Sequence, residues 1–324
     1  MKKTLSLVMS LVLMLSLCLG LASCGASGQY TIGICQIQPH VALDAATQGF
    51  KDALIEEFGE STITFLEQNA QGDSTVCTTI INDFVTKNVD LILANATPAL
   101  QAAANGTATI PVLGTSITEY GTALAIDNFS GTVGGNISGT SDLAPLDQQA
   151  QMIIDLFPKA KTVAMLYCSG EPNSAYQVKV VNEYLTGKGL TVKDFPFSDS
   201  NDIASVAKAA AAAADVIYIP TDNTAATCTE AINGAVLPTG TPIIAGEEGI
   251  CSGCGVATLS IRYYDLGVKT GKMAIDVLKG KKKIEEMPVG YVDTFTKKYN
   301  KANCEALKID IKALEAAGYV AIGE

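Results

Sequence analysis

His40 and Asp44 are the first pair of residues in this chain whose types and spacing could do chemistry. His40 is the only histidine, and Asp44 follows it at the helical spacing of four residues. A Ser-His-Asp catalyst would have to be built around this histidine, but the sequence has no Gly-x-Ser-x-Gly elbow, Walker-type loop or dinucleotide fingerprint. A single histidine also excludes a multi-histidine metal site. The pattern therefore predicts a protein that is not an enzyme and that uses no metal or cofactor.

Small polar residues follow a second pattern, in which they stand directly after the predicted strands. The carboxyl ends of parallel strands meet at one edge of a sheet, and α/β folds bind their ligands at that edge. Any one of these residues could simply cap a helix, because Ser, Thr, Asn and Asp are common N-caps. Their convergence from loops of both halves favours a site for a small polar molecule. The candidate ligand-binding residues are Gln36, His40, Asn95, Ala96, Thr97, Thr115, Ser116, Ser141, Asp142, Asn173, Ser174, Thr221, Asp222, Asn223 and Glu247.

This set suits a ligand that carries two opposite charges. The free N–H groups at the start of the helix opened by Pro98, together with the Thr97 hydroxyl, would bind a carboxylate. Asp222 is the best-placed acid for an ammonium group, with Asp142 and Glu247 as rivals. An amino acid carries both groups. A nucleoside or sugar in the same fold is the first alternative, and an extracellular enzyme is the second.

Short β-branched runs alternate with helical patterns from Tyr30 onward. Val41–Phe58 has apolar residues on one face of a helix, Ser74 is expected to cap the next helix, and Pro98 is expected in the first turn of a third. Alternation of this kind predicts parallel sheets covered by helices on both faces. The predicted strands are 30–36, 63–67, 91–94 and 111–113, then 162–167, 190–195, 216–219 and 242–245. Helices are also expected at 173–188, at 202–214, from Thr224 and at 263–279.

The second half of the chain repeats the pattern of the first. The segment 89–93 matches 214–218 at an offset of 125 residues, so the repeat unit is a whole domain. The predicted fold class is α/β, with two doubly wound parallel-sheet domains joined by a hinge of several crossings. The N-terminal lobe is expected to comprise 30–138 and 262–288, and the C-terminal lobe 139–261 and 289–324. Hinged twin domains are typical of a closing ligand trap.

The N-terminal residues have the pattern of an export signal. Lys2 and Lys3 precede a short apolar run, and Leu-Ala-Ser-Cys at 21–24 resembles the bacterial lipobox. We expect 1–23 to be a lipoprotein signal peptide, Cys24 to be lipidated and 24–29 to be a tether. An ordinary cleaved signal with an accidental cysteine is the alternative. The expected location is extracytoplasmic, on the outer face of the bacterial cytoplasmic membrane.

Charge and cysteine content narrow the possible partners. The formal net charge is −11 and Arg262 is the only arginine, which argues against a nucleic-acid partner. Without Cys18 and Cys24, seven cysteines remain, so at least one thiol is free in a monomer. Cys251 and Cys254 could form a local disulfide, a redox pair or half a metal site, but the expectation is buried structural cysteines.

Several motifs together resemble one family of lipid-anchored ABC-transporter substrate-binding proteins, the group that includes tryptophan-binding proteins of the TrpX type. The motifs are Gln36–Ala46 (QIQPHVALDAA), Gln68–Asp73 (QNAQGD), Ala96–Ala99 (ATPA), Gly139–Asp142 (GTSD), Pro220–Asn223 (PTDN), Gly267–Ala274 (GVKTGKMA) and the closing helix 311–317. The resemblance implies a type I periplasmic-binding-protein fold and a permease and ATPase as partners. It also implies an aromatic amino acid as ligand, with tryptophan first and tyrosine or phenylalanine next. A monomer is expected.

The chain departs from this family pattern at three places. Family members often carry an Ala-Val-Thr-Asp-Pro stretch where this chain has 115–120. The Cys251–Cys254 segment and the long stretch 290–304 are also unusual. These departures concern the identity of the ligand and leave the expected fold unchanged.

Overall fold

The computed structural model describes residues 30–323, and the expected signal, Cys24 and the tether lie outside the described residues. The strands of the first half are β1 (Tyr30–Gln36), β2 (Ile63–Asn69), β3 (Leu91–Asn95), β4 (Val112–Ile117) and β5 (Ile137–Ser141). Those of the second half are β6 (Thr162–Cys168), β7 (Thr191–Phe197), β8 (Val216–Ile219), β9 (Ile243–Ala245), β10 (Ala257–Ser260), β11 (Gly290–Tyr291), β12 (Thr296–Tyr299) and β13 (Val320–Ala321).

Helices connect these strands and cover both faces of each sheet. They are α1 (Val41–Phe58), α2 (Ser74–Thr86), α3 (Thr97–Gly106), α4 (Tyr120–Leu124), α5 (Leu146–Leu156), α6 (Pro172–Gly187) and α7 (Ile203–Ala213). The remaining helices are α8 (Asn223–Thr227), α9 (Thr229–Val236), α10 (Glu248–Gly253), α11 (Tyr263–Leu278), α12 (Lys301–Ala306) and α13 (Ile311–Ala316). Within residues 30–323, no helix combines the length and the apolar character that crossing a membrane requires.

Two sheets divide the described chain into two lobes. The first lobe contains the strand order β11-β5-β4-β3-β1-β2, and the second lobe contains β13-β12-β10-β9-β8-β6-β7. Neighbouring strands are parallel except for β10 and β12, which pair antiparallel. Burial on both faces explains the continuous apolar runs, as in β3, where every residue is buried. The predicted α/β class with two mainly parallel sheets is confirmed.

Most predicted elements agree with the structure, and the differences have simple physical causes. The predicted strand 30–36 and the helix Val41–Phe58 have the observed bounds, and Pro98 lies in the first turn of α3. The cap of α2 is Asp73 instead of the expected Ser74, because the Asp73 carboxylate accepts a hydrogen bond from the Thr75 N–H. The helix expected from Thr224 is broken at Cys228 into α8 and α9.

The expected lobe boundary between 138 and 139 is corrected by the sheet pairing. It falls inside β5, which pairs with β4 and so belongs to the first sheet over its whole length. β11 pairs with β5, which also moves Gly290 and Tyr291 from the expected second lobe to the first. The chain therefore crosses between the sheets after β5, between β10 and α11, and between β11 and β12. α13, as expected, packs on the second lobe, where Leu314 joins the core.

Helices α1 and α11 pack tightly against each other on the first lobe. Glycines make this close approach possible, because a Cβ atom at Gly267 would overlap the carbonyl oxygen of Ala46, and one at Gly49 would overlap that of Tyr264. The Tyr30 hydroxyl donates to the Leu278 carbonyl at 3.2 Å, so the first described residue is fixed to the end of α11. α11 lies in sequence between β10 and β11, and its position on α1 fixes where the chain re-enters the first lobe.

Candidate functional site

A narrow cavity lies between the carboxyl ends of the two sheets. Both lobes and the hinge contribute to its wall, as expected for a ligand site in a two-lobed α/β protein. We call it the inner cavity. Its lining residues are His40, Leu43, Ser116, Thr118, Asp142, Asn173, Thr221, Asp222, Asn223, Ala226, Glu247 and Tyr263.

Ser116 forms part of the first-lobe wall in a strained backbone conformation. β4 shifts its pairing register between Gly114 and Ile117, and Ser116 inside this irregularity has a φ of 56°, in the left-handed region. Its Oγ is buried and has no hydrogen-bond partner within residues 30–323. Strain of this kind persists where the surrounding structure holds it, and it often accompanies a functional site. The result is a buried hydroxyl that is free to bind a ligand.

Asp142 lies directly after β5, where the chain first leaves the first lobe. Its side chain is buried, with a residue exposure of 5%, and its Oδ2 accepts a hydrogen bond from the Tyr263 hydroxyl at 2.9 Å. Its Oδ1 accepts no hydrogen bond of normal geometry from the described residues. Burial raises the pKa of this carboxyl to about 6, against the opposing effect of the Tyr263 and Thr118 side chains. A buried carboxylate with a free oxygen favours a positively charged partner.

Asn173 supplies a third free polar atom from the second lobe. Its Nδ2 lies within 3.3 Å of Glu171 Oε2, Ser174 Oγ and the Thr221 carbonyl oxygen, which fixes the orientation of the amide. Its Oδ1 is buried and without a partner among the described residues. Ser116 Oγ, Asp142 Oδ1 and Asn173 Oδ1 therefore form a set of unused acceptors around the inner cavity. Buried polar groups in proteins are rarely left unpaired unless a ligand or water completes them.

Asp222 and Glu247 line the same cavity, but their oxygens are already used within the protein. Asp222 Oδ1 accepts from the Ala225 N–H at 2.8 Å, and its Oδ2 accepts from the Cys168 N–H at 2.7 Å and the Ser174 hydroxyl at 2.8 Å. Glu247 caps α10 by accepting from the N–H groups of Gly249 and Ile250. Both are helix caps as well as cavity residues, so they have less capacity for a ligand than Asp142.

The electrostatics of the inner cavity are those of a cation site. Burial raises the pKa of Glu247 to about 7, and burial together with the Glu171 charge raises the pKa of Asp222. Burial lowers the pKa of His40, which favours its neutral form. No Lys or Arg is among the residues that line the cavity. A ligand that brings a positive charge would therefore relieve the cost of the buried acids.

The structure brings eight of the predicted site residues to this cavity and places seven elsewhere. The eight are His40, Ser116, Asp142, Asn173, Thr221, Asp222, Asn223 and Glu247. Those outside the lining are Gln36, Asn95, Ala96, Thr97, Thr115, Ser141 and Ser174. Sequence reasoning missed Leu43, Thr118, Ala226 and Tyr263. Of these, Tyr263 had a usable signal, since it directly follows a predicted crossing.

The seven residues outside the lining have hydrogen-bonding or backbone roles within the lobes. Asn95 Nδ2 donates to Gln36 Oε1, to Thr47 Oγ1 and to the Leu43 carbonyl oxygen. The hydroxyls of Thr140 and Thr270 lie within 3.4 Å of Thr115 Oγ1 inside the first lobe.

The remaining four support the loops near the cavity. Ser174 donates to Asp222, and Ser141 holds the turn after β5 through the Thr118 carbonyl oxygen. Ala96, with a φ of 84°, and Thr97 are buried at the start of α3.

A wider second cavity lies between the lobes on the other side of His40 and Asn223. We call it the outer cavity; its lining residues are Ile37, Gln38, Pro39, Gln71, Gly72, Ser74, Pro98, Cys168, Gly170, Glu171, Ser198, Asp199, Ser200, Asn223, Thr224 and Thr227. His40 Nε2 of the first lobe lies 3.4 Å from Asn223 Oδ1 of the second. The two lobes therefore meet at this contact, and Asn223 lines both cavities.

Two α/β lobes that enclose a polar cavity at their facing strand ends form the architecture of a two-lobed ligand-binding protein. Comparison with known families agrees with this class, since residues 31–317 match the family described as ABC transporter substrate binding protein. The chain belongs to this family, whose members bind substrates for transport and are not enzymes.

Two relatives with known ligands are similar to this chain over nearly its whole length. A tyrosine-binding protein of Clostridioides difficile is 33% identical over 329 residues, which cover 97% of this chain and 94% of the relative. A domain from Streptococcus pneumoniae, solved in complex with L-Trp, is 33% identical with a TM-score of 0.85 and covers 91% of this chain and all of that one.

A ligand-free structure is also similar to this chain. The ligand-free, open structure of a substrate-binding protein with adhesive properties from C. difficile is also 33% identical, covering 90% of this chain and 99% of that one, but its TM-score is 0.69. The transcription regulator CcpA of Lactococcus lactis, 15% identical with a TM-score of 0.60, shares the fold alone.

Proposed function

We propose that this substrate-binding protein captures an aromatic amino acid, tryptophan first and tyrosine or phenylalanine next, and delivers it to an ABC permease and its ATPase. The observation that carries the proposal is the buried Asp142 carboxylate, whose Oδ1 is unused in a cavity without Lys or Arg. An α-ammonium group would satisfy it. The L-Trp complex and the tyrosine-binding relative support the choice of side chain.

The free atoms around the inner cavity suggest roles for individual residues. Asp142 Oδ1 and Asn173 Oδ1 accept hydrogen bonds from the ligand's ammonium group, and the Ser116 hydroxyl donates to its carboxylate. Asp222, which the sequence placed first for the ammonium, is assigned to holding α8 and the end of β6 instead. His40 and Asn223 close over the ligand from opposite lobes.

The sequence supports a lipid anchor for this receptor. In our proposal residues 1–23 are removed as a signal peptide, Cys24 is lipidated, and 24–29 connect the lipid to Tyr30 at the start of β1. The mature protein then works as a monomer on the outer face of the cytoplasmic membrane. The acidic charge of the chain is consistent with a small-molecule ligand and no nucleic acid.

A thermal-shift screen of residues 30–324 against the common amino acids tests this function. A ligand that binds only the folded state raises the melting temperature by mass action, and at equal concentrations a tighter ligand gives a larger shift. We expect the largest shifts with L-tryptophan, L-tyrosine and L-phenylalanine. Sugars and nucleosides serve as controls, and a shift produced by one of these but by no amino acid would overturn the proposal.

A further inference from the structure

Glu171 is a buried acid that contacts three residues of the interlobe region but is not among the expected ligand-binding residues. It precedes α6 and lines the outer cavity, with a residue exposure of 7%. Its Oε1 accepts from the Thr224 N–H at 2.9 Å and the Thr224 hydroxyl at 2.8 Å. Its Oε2 accepts from the Asn223 N–H at 2.9 Å, the Asn223 Nδ2 at 2.7 Å and the Asn173 Nδ2 at 3.2 Å. With five hydrogen bonds accepted, this carboxylate has little capacity left for a ligand.

These bonds determine which way the Asn223 amide points. Because Nδ2 donates to Glu171, Oδ1 is left on the side of His40, at 3.4 Å from its Nε2. A carboxylate can only accept here, so the reversed amide would place its oxygen against the Glu171 charge. With Oδ1 as the facing atom, His40 must donate through Nε2–H. The charge of Glu171 thus selects the tautomer of a histidine on the opposite lobe.

We infer that Glu171 is a positioning residue for lobe closure: it orients Asn223 so that His40 can bond to it across the cleft. The three residues form an interlobe latch, Glu171–Asn223–His40, beside the inner cavity. The latch acts on how long the cleft stays closed over a ligand, without Glu171 touching that ligand. Only the kinetic test of this inference rests on the proposed function, because that test needs a bound ligand.

NMR of the imidazole nitrogens gives a test that needs no ligand. His40 is the only histidine, so its signals require no assignment. Wild-type protein should show a neutral ring protonated at Nε2, whereas Glu171→Gln should lose this signature, because a glutamine amide no longer forces the orientation of Asn223. A ring protonated at Nδ1 in the wild type, or identical His40 signals in both proteins, would overturn the inference. If Glu171→Gln does not fold, Glu171→Asp replaces it. This variant moves the carboxylate back by one methylene group, and it should lose the same His40 signature.

Dissociation kinetics with L-tryptophan test the functional part. Glu171→Gln should raise the dissociation rate about tenfold, the size expected for losing a hydrogen bond that depends on a charged group, with a much smaller change in the association rate. In an Asn223→Ala background the same substitution should add little, because the latch is already absent. Equal effects in both backgrounds would contradict a role through Asn223.

Asp215→Asn is the matched control for general destabilisation of the second lobe. Its carboxylate also accepts backbone N–H groups, from Lys161 and Thr162, but at the far edge of the lobe. We expect it to leave the dissociation rate unchanged, and a rise equal to that of Glu171→Gln would overturn the latch. If wild-type protein binds neither L-tryptophan nor L-tyrosine, the proposed ligand class fails, while the His40 signals still decide the latch.

Discussion

Asp142 and Asp222 are both aspartates that line the inner cavity, but their hydrogen-bond partners give them different roles. Asp142 has one oxygen free, whereas both oxygens of Asp222 are bonded to the second lobe. Asp142→Asn should therefore weaken L-tryptophan binding by roughly 2–5 kcal/mol, since the ligand's ammonium group would be buried without its counter-charge. Calorimetric titration measures this change directly.

Asp222→Asn is the matched variant for that experiment. It should mainly lower the free energy of unfolding, because it removes the charge that receives the bonds of Cys168, Ser174 and Ala225. The opposite result would contradict this assignment. If Asp142→Asn bound L-tryptophan as tightly as wild type and Asp222→Asn bound it much more weakly, Asp222 would be the partner of the ammonium group, as the sequence predicted.

The pKa of Asp142 predicts how affinity depends on pH. In the ligand-free cavity burial raises this pKa to about 6, above the usual 3.8, so the carboxyl takes up a proton as the pH falls through that value. Ammonium binding favours the ionised form, so affinity should fall below pH 6, by at most about tenfold per pH unit for one proton. Titrations in a pH series should show a flatter profile for Asp142→Asn. An unchanged profile would assign the proton to another group, such as Glu247.

The sequence identified the loops of the site better than the direction of each side chain. It placed His40, Asp142 and Asn223 correctly near a cleft because strand ends of parallel sheets meet at one edge. It also included Gln36 and Asn95, which turn into the first lobe and bond to each other. A polar side chain at a strand end can point into the cleft or into its own lobe. The packing of the neighbouring helix determines which direction it takes.

At the level of elements, the periodicity of apolar residues predicted which segments are strands and helices. The residue that caps a helix and the sheet to which a strand belongs depend on tertiary contacts. Asp73 and Ser74 are both good N-caps, and the backbone geometry selects the first. β5 contains two serines, a threonine and a glycine, so its composition does not mark it as a buried strand; pairing with β4 places it in the first sheet. Long-range pairing of this kind has no local signal.

The glycine contact between α1 and α11 predicts a large cost for a single methyl group. Gly267→Ala would press its Cβ against the Ala46 carbonyl, which should lower the free energy of unfolding by roughly 1–3 kcal/mol or more. Gly234→Ala in α9 is the matched control, since nothing lies within 4 Å of the added atom. It should stabilise the protein by about 0.5–1 kcal/mol. Chemical denaturation measures both changes, and equal values would contradict the packing argument.

At the scale of the whole molecule, the lobes should close on the ligand. The described structure has the two lobes in contact through His40 and Asn223. Small-angle scattering should give a smaller radius of gyration when L-tryptophan is saturating than when it is absent. An identical profile with binding shown by calorimetry would mean that the cleft is already closed before the ligand arrives.

The lipid anchor is tested separately from binding. Cells that express the full chain should carry lipid label on the wild-type protein and none on Cys24→Ala, which should leave the membrane fraction or remain unprocessed. Cys228→Ala, at a partly exposed thiol in the second lobe, is the control for general effects of losing a cysteine. Equal lipid labelling of wild type and Cys24→Ala would refute the anchor.

The central claim is that Asp142 and its neighbours recognise the ammonium group of an aromatic amino acid. Calorimetry with L-tryptophan and with indole-3-propionic acid, the same molecule without the amino group, tests it most directly. Binding of L-tryptophan should be at least about a hundredfold tighter, because without the ammonium the closed cavity leaves a buried carboxylate unpaired. Equal affinities for the two compounds would contradict the account.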